Sequence, residues 1–157
     1  MPLFTHVLAP IDFGETTDDV IETAVAMARQ FDATLTVTHA FFIAPFTYAN
    51  GFYIPIEEVT REARATLNAA VAKIRERYPN VDGELAHGEP WQEILHAAKA
   101  HKADLIVMGT HGRRGLSRVL LGSVAEKVVR LSPVPVLTVS GRHAAEKKKE
   151  TLAETSG

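Results

Sequence analysis

Apolar positions along the chain fall into short continuous runs, separated by longer segments in which they recur every three or four residues. That is the pattern of strands alternating with helices. "FTHVLAPID", residues 4–12, is an apolar, β-branched run that stops at Pro10, a strand by length and composition. In residues 14–31, Thr16 or Thr17 can cap a helix, and Asp18, Asp19 and Glu22 suit the positive end of its dipole. Val20, Ala24, Met27, Ala28 and Phe31 then recur at helical spacing. "ATLTVTHAF" follows as a second strand, with Leu35, Val37 and His39 on one face.

"FIAPFTYANGFYIP" has two prolines and an Asn-Gly pair, which mark it as a loop. Ile56 to Tyr78 reads as a long helix with Val59, Ala63, Leu67, Ala70, Val71 and Ile74 along its apolar stripe, ended by Pro79. "VDGELAH" is a short third strand broken by Gly88, and "PWQEILHAAKAHK" is helical, with Pro90 suited to its first turn. "ADLIVMG" is apolar without alternation, the sign of a strand buried on both faces. "SVAEKVVRL" makes a last helix and "PVPVLTV" a fifth strand. This alternation predicts an α/β fold, a parallel sheet wrapped on both faces through right-handed crossovers. Residues 1–140 form the single domain of this reading, and the polar residues 141–157 a mobile tail.

Composition narrows the class without naming it. At 157 residues the chain can bury a proper core, and 46% hydrophobic with 23% charged residues is ordinary for a globular protein. A formal charge of −2 argues against a general nucleic-acid binder. The absence of cysteine excludes disulfides, thiolate zinc sites and cysteine nucleophiles. No apolar segment approaches the roughly 20 residues that span a bilayer, and "MPLFTHVLAPIDF" does not read as a signal peptide. The expectation is a cytoplasmic protein with no membrane partner.

The chemistry concentrates in "GTHGRRGLSRVLLGS", which puts four glycines, three arginines and a histidine directly after the buried fourth strand. In open parallel sheets ligands bind beyond the carboxyl ends of the strands, where the strand order reverses. Gly109 and Gly112 let the chain turn sharply and expose peptide N–H groups. Gly122 and Ser123 open a helix, whose first N–H groups and positive dipole end form an anion site, with Ser123 adding a hydroxyl at the cap. The spacing Gly-x2-Gly-x9-Gly-Ser is neither the phosphate loop ending in Gly-Lys-Ser/Thr nor Gly-x-Gly-x-x-Gly. Two readings therefore stand: glycines that admit a phosphate, and glycines that serve turns and close packing.

Those residues also carry a resemblance. Gly109-Thr110-His111-Gly112, nine residues, then Gly122-Ser123 resembles the nucleotide-binding signature of the universal stress protein family. The likeness extends from "HVLAPID" through "LTVTHAF" and "HGEPWQEILHAAK" to "LSPVPVLTV", and stops after Val139. It implies a Rossmann-like sheet of five parallel strands in the order 3-2-1-4-5, with ATP at the switch between the first and fourth strands. Pro10, Ile11 and Asp12 would lie by adenosine, with Asp12 near ribose or a divalent ion, Mg²⁺ or Mn²⁺, carried by the nucleotide. Val37 or its neighbours would meet adenine, and Met108 and Gly109 would edge the sugar. Gly112, Gly122, Ser123 and Val124 would hold the phosphates, and His111 and Arg113 would be among the ATP-binding residues. Gly14 departs from the pattern, since many members have serine there. The resemblance further implies a homodimer through the fifth strands.

Other residues keep two readings. Asp12 suits a helix entry as well as a ligand contact. Arg113, Arg114 and Arg118 could neutralise phosphate or simply be solvated. His39, His87 and His111 gather near one sheet edge, but no pattern such as H-E-x-x-H accompanies them. Phe46, Tyr48, Phe52 and Tyr53 suit a lid, a partner surface or packing onto the second helix. The resulting expectation is an ATP-binding, nucleotide-responsive regulator in stress response with an unidentified protein partner. Its rivals are a slow ATP hydrolase and a scaffold indifferent to nucleotide. "APIDFGE" lacks the Ser-Gly-Gly loop of an ATP pyrophosphatase, and "LAHGEP" lacks the aspartate of a phosphoacceptor receiver.

Overall fold

A computed structural model describes residues 1–43, 55–111, 121–141 and 153. Nine elements follow in strict alternation: β1 (His6–Pro10), α1 (Thr17–Phe31), β2 (Thr34–Phe41), α2 (Ile56–Arg77), β3 (Val81–His87), α3 (Pro90–Ala100), β4 (Leu105–Gly109), α4 (Ser123–Leu131) and β5 (Val136–Val139). The strands form one parallel sheet in the order β3-β2-β1-β4-β5. The chain thus winds outward through β2 and β3, returns to the centre, and winds the other way through β4 and β5. The reversal lies between β1 and β4.

Both sheet faces are covered. Val7, Ala9, Leu35, Val37, Leu105 and Val107 point to one side and pack with the buried stripes of α1 and α2. Leu8, Ile106 and Met108 point to the other, against Ile94, Ala97 and Ala98 of α3 and Ala125 and Val128 of α4. β4 therefore buries alternate residues on opposite faces, which is why its sequence is uniformly apolar. Gly83 in β3 lets α2 come close: a Cβ there would lie 2.8 Å from Val71 Cγ2.

Element ends follow local chemistry. Thr16 is the residue before α1 and Asp18 and Asp19 fill its first turn, but no side chain caps the helix. Asp32 closes α1 in the left-handed conformation, φ 55°, and Ala33 N–H donates to Ala28 O at 2.9 Å. Tyr78, expected as the last residue of α2, instead leaves the helix at φ −144°, ψ 91°. Its hydroxyl donates into the end of α1 at Ala28 O and Ala33 O. Pro133 and Pro135 lie ahead of β5, whose ladder begins at Val136. Proline has no N–H to give a parallel neighbour.

Candidate functional site

The carboxyl ends of β1 and β4 diverge around a cleft with a cavity volume of about 260 Å³. Pro10, Ile11 and Asp12 line it from β1, Met108, Gly109, Thr110 and His111 from β4, and Gly122, Ser123, Val124 and Ala125 from the start of α4. Thr16, Thr17 and Val20 of the α1 region, Ala40 of β2, and Pro90 and Ile94 of α3 complete the wall. Ligand clefts usually measure roughly 300–1,000 Å³. This one lies just below that range.

Of the residues expected to form the site, Pro10, Ile11, Asp12, Met108, Gly109, His111, Gly122, Ser123 and Val124 meet here. Val37 does not line the cleft. It pairs with Ala9, inside the ladder, and is fully buried under α1 and α2. Ala40, past the end of β1, is the β2 residue that reaches the cleft. Gly112, Arg113, Arg114, Arg118 and the aromatic residues 46–53 lie outside the described residues. Thr16, Thr17 and Pro90 stand in the sequence as helix-start residues, and Ile94 only as part of a helical segment. In a parallel sheet the helix starts and the ligand edge lie at the same end, which was the signal available for them.

The two glycines that flank the phosphate reading play different parts. A Cβ on Gly109 would overlap Thr16 Oγ1 and stand 3.2 Å from Thr16 Cβ, so this glycine is required by close packing of β4 on the α1 entry. Gly122 has φ −58°, ψ 158°, which any residue adopts, so the backbone does not demand glycine there. Gly122, not Ser123, is the N-cap, and its N–H is already given to Thr110 O at 2.7 Å. The Gly122 carbonyl starts the helix by accepting from Glu126 N–H at 2.9 Å. Ser123, Val124 and Ala125 therefore carry the first-turn N–H groups, which have no partner within their own helix. Together with the dipole they favour an anion at this end of the cleft.

Asp12 supplies the opposite charge. Its Oδ1 accepts the Gly14 N–H at 2.8 Å, and a Cβ on Gly14 would approach that oxygen to 2.9 Å. The glycine in place of serine thus keeps the turn tight around the carboxylate. The three histidines near the edge take separate partners. His39 Nδ1 bonds Ile11 O at 2.8 Å, His111 Nδ1 bonds Thr110 Oγ1 at 2.9 Å, and His87 packs between the rings of Phe41 and Phe42. Among the described residues no three His, Asp or Glu side chains gather as a metal site. Asp12 is the one carboxylate among the described residues that line the cleft.

The fold and the cleft define an open, doubly wound α/β protein with a cleft at the switch between β1 and β4, where ligands of such sheets bind. The model of the universal stress protein family matches residues 3–140, and the chain belongs to that family. It is 35% identical over 140 residues to universal stress protein MJ0531 of Methanocaldococcus jannaschii, spanning 87% of this chain and 82% of that one. With universal stress protein YxiE of Bacillus subtilis it shares 34% identity over 147 residues, spanning 87% and 99%. A solved structure, the universal stress protein from Archaeoglobus fulgidus in complex with dAMP, superposes with a TM-score of 0.62 at 25% identity. That likeness covers 88% of this chain and 98% of the other. Among the described residues no helix is long and apolar enough to cross a membrane.

Proposed function

We propose that this chain binds ATP in the cleft between β1 and β4 and acts as a nucleotide-responsive regulator in the cytoplasmic stress response. The observation that carries the reading is that Asp12 and the start of α4 line one cleft. Adenosine fits the largely apolar interior, and triphosphate fits the N–H groups of Ser123, Val124 and Ala125. The dAMP bound by the Archaeoglobus fulgidus protein supports an adenine nucleotide as the ligand class. Residues 1–140 would be the working domain. The regulator would act as a homodimer through β5 and hand its state to a protein partner.

Turnover in this reading is weak. Phosphoryl transfer to water needs a positioned water, a metal and an orienting group. Among the described residues, Asp12 and His111 are the groups in the cleft from which such a set would have to be built, and Arg113 lies outside those residues. ATP hydrolysis should fall far below the typical enzyme rate of about 10 per second. A magnesium-dependent rate near that value, lost in Asp12→Ala, would replace the regulator with a hydrolase.

The direct test is mass spectrometry of the small molecule released when the purified protein is denatured, followed by calorimetric titration with ATP. Release of ATP and a saturable titration are expected. Predominant ADP or AMP favours the hydrolase, and no nucleotide with no titration favours the scaffold.

A further inference from the structure

β1 ends its ladder at Pro10, so the peptide that follows must find partners of its own. Ile11 finds them in β2 on both sides: its N–H donates to Thr38 O at 2.8 Å, and its carbonyl accepts from His39 Nδ1 at 2.8 Å. A carbonyl can only accept, so His39 carries its proton on Nδ1. His39 is 8% exposed, and its ring meets that of Phe13 edge to face at 4.7 Å between centroids. Phe13 holds φ 59°, a left-handed conformation that a non-glycine residue keeps only when its surroundings impose it. His39 thus touches the loop immediately before and immediately after Asp12. Between these two contacts the Asp12 carboxylate is closed onto Gly14 N–H.

We infer that His39 is a positioning residue of the nucleotide site: its Nδ1–H, bonded to the Ile11 carbonyl, fixes the β1–α1 loop and so the aim of the Asp12 carboxylate into the cleft. The inference rests on the nucleotide reading for its consequence, and on the loop geometry alone for its structural part. It also accounts for a histidine inside a wall of Leu35, Val37 and Phe13, where an aliphatic side chain would pack as well but give the Ile11 carbonyl no donor.

Two substitutions separate bonding from packing. His39→Leu keeps volume and removes the donor; His39→Asn places an amide N–H near the position of Nδ1. In the free protein, exchange of the Gly14 amide should quicken about tenfold in His39→Leu as the Asp12 turn loosens, and return toward wild type in His39→Asn. ATP affinity should fall about tenfold in His39→Leu and within about twofold of wild type in His39→Asn. Placed on Asp12→Asn, His39→Leu should add almost nothing, because both act through one carboxylate. An unchanged Gly14 amide in His39→Leu, or no recovery in His39→Asn, overturns the positioning role. A full additional loss on Asp12→Asn shows that His39 acts elsewhere and overturns it too. If wild type binds no adenine nucleotide, the functional reading fails, while the Gly14 amide still decides whether His39 holds the loop.

Discussion

At the scale of single residues, Gly109 and Gly122 look alike in the sequence and have opposite reasons for lacking a side chain. Gly109→Ala should drive a methyl group into Thr16 and cost about 1–3 kcal/mol of stability in urea unfolding, as overpacking does. Adding Thr16→Ala should recover part of that loss, since the overlapping hydroxyl is gone. Gly122→Val should keep its circular dichroism and lose ATP binding, because the new side chain would stand where phosphate meets α4. Ser123→Ala removes one hydroxyl donor to a charged acceptor, worth roughly 1.5–3 kcal/mol, or about ten- to a hundredfold in affinity. Calorimetry orders the two, and a Gly122→Val protein that binds as tightly as wild type removes phosphate from the start of α4. Chemistry at strand ends was legible because an acid, a glycine or a serine stands out after an apolar run. Whether β2 meets the cleft at Val37 or at a neighbour was not legible for want of register. Only the pairing of Ala9 with Val37 reveals that the end of β2 reaches three residues further.

At the scale of elements, the alternation of strands and helices was legible because each buried run has its own period, and α4 emerged over the same residues, Ser123–Leu131. Ends were less legible: Tyr78 leaves α2 and Gly122 rather than Ser123 is the N-cap of α4, because tertiary partners and not residue preference decide. The amino ends of β1 and β4 show such a partner set. Asp104 accepts N–H groups from Thr5 and His6 and the Thr5 hydroxyl, at 2.8–3.0 Å. Burial pushes its carboxyl pKa up, but the bonds from His6 and Thr5 outweigh that and hold it below the ordinary 3.8. Nearby, burial first and the neighbouring His101 second hold His6 below 6.5, with Asp104 and Asp82 pulling the other way. The His6 Nε2 bonds Thr36 Oγ1 at 2.8 Å.

Both shifts act in the same direction on stability. The unfolded chain takes up protons at His6 before the folded one does, so stability falls as pH drops below 6.5 and stops changing once both states are protonated. The Asp104 contribution is present above 3.8 and is lost as pH falls through the lowered folded value. His6→Gln should flatten the first step. Asp104→Asn should cost about 1–2 kcal/mol at neutral pH, modest for a partly exposed carboxylate, and the difference from wild type should vanish in acid. Denaturant midpoints measured across pH check both. A gap between Asp104→Asn and wild type that is constant with pH excludes the charged clamp.

At the scale of the whole molecule, the sheet has two edges, β3 and β5, and the β5 edge carries exposed apolar side chains. Leu137 on β5 and Val129 and Leu131 on α4 are exposed, as is Leu121 before α4. Pro133 and Pro135 cannot donate to a new neighbour, so side chains rather than a long ladder must join any second copy. Val136 is a poor probe of that contact, because it packs into the core under α3 and α4 and its replacement by aspartate would damage the fold. Leu137→Asp is the cleaner one. Wild type should scatter light as a dimer at micromolar concentration and Leu137→Asp as a folded monomer, since the new carboxylate would be buried without a partner. The β5 edge is also tied to the cleft through backbone hydrogen bonds. Thr110 N–H donates to Val139 O at 3.0 Å, and Thr110 O accepts from Gly122 N–H at 2.7 Å. A ligand that pulls on the start of α4 therefore pulls on the end of β5, and nucleotide and dimer should be coupled. Linkage makes that coupling reciprocal: whatever factor ATP applies to dimer affinity, dimerisation must apply to ATP affinity. Leu137→Asp should then bind ATP with an affinity shifted from wild type by that factor, although it lies outside the cleft. If wild type is monomeric, or if ATP binds Leu137→Asp and the wild-type dimer identically, β5 does not report the nucleotide.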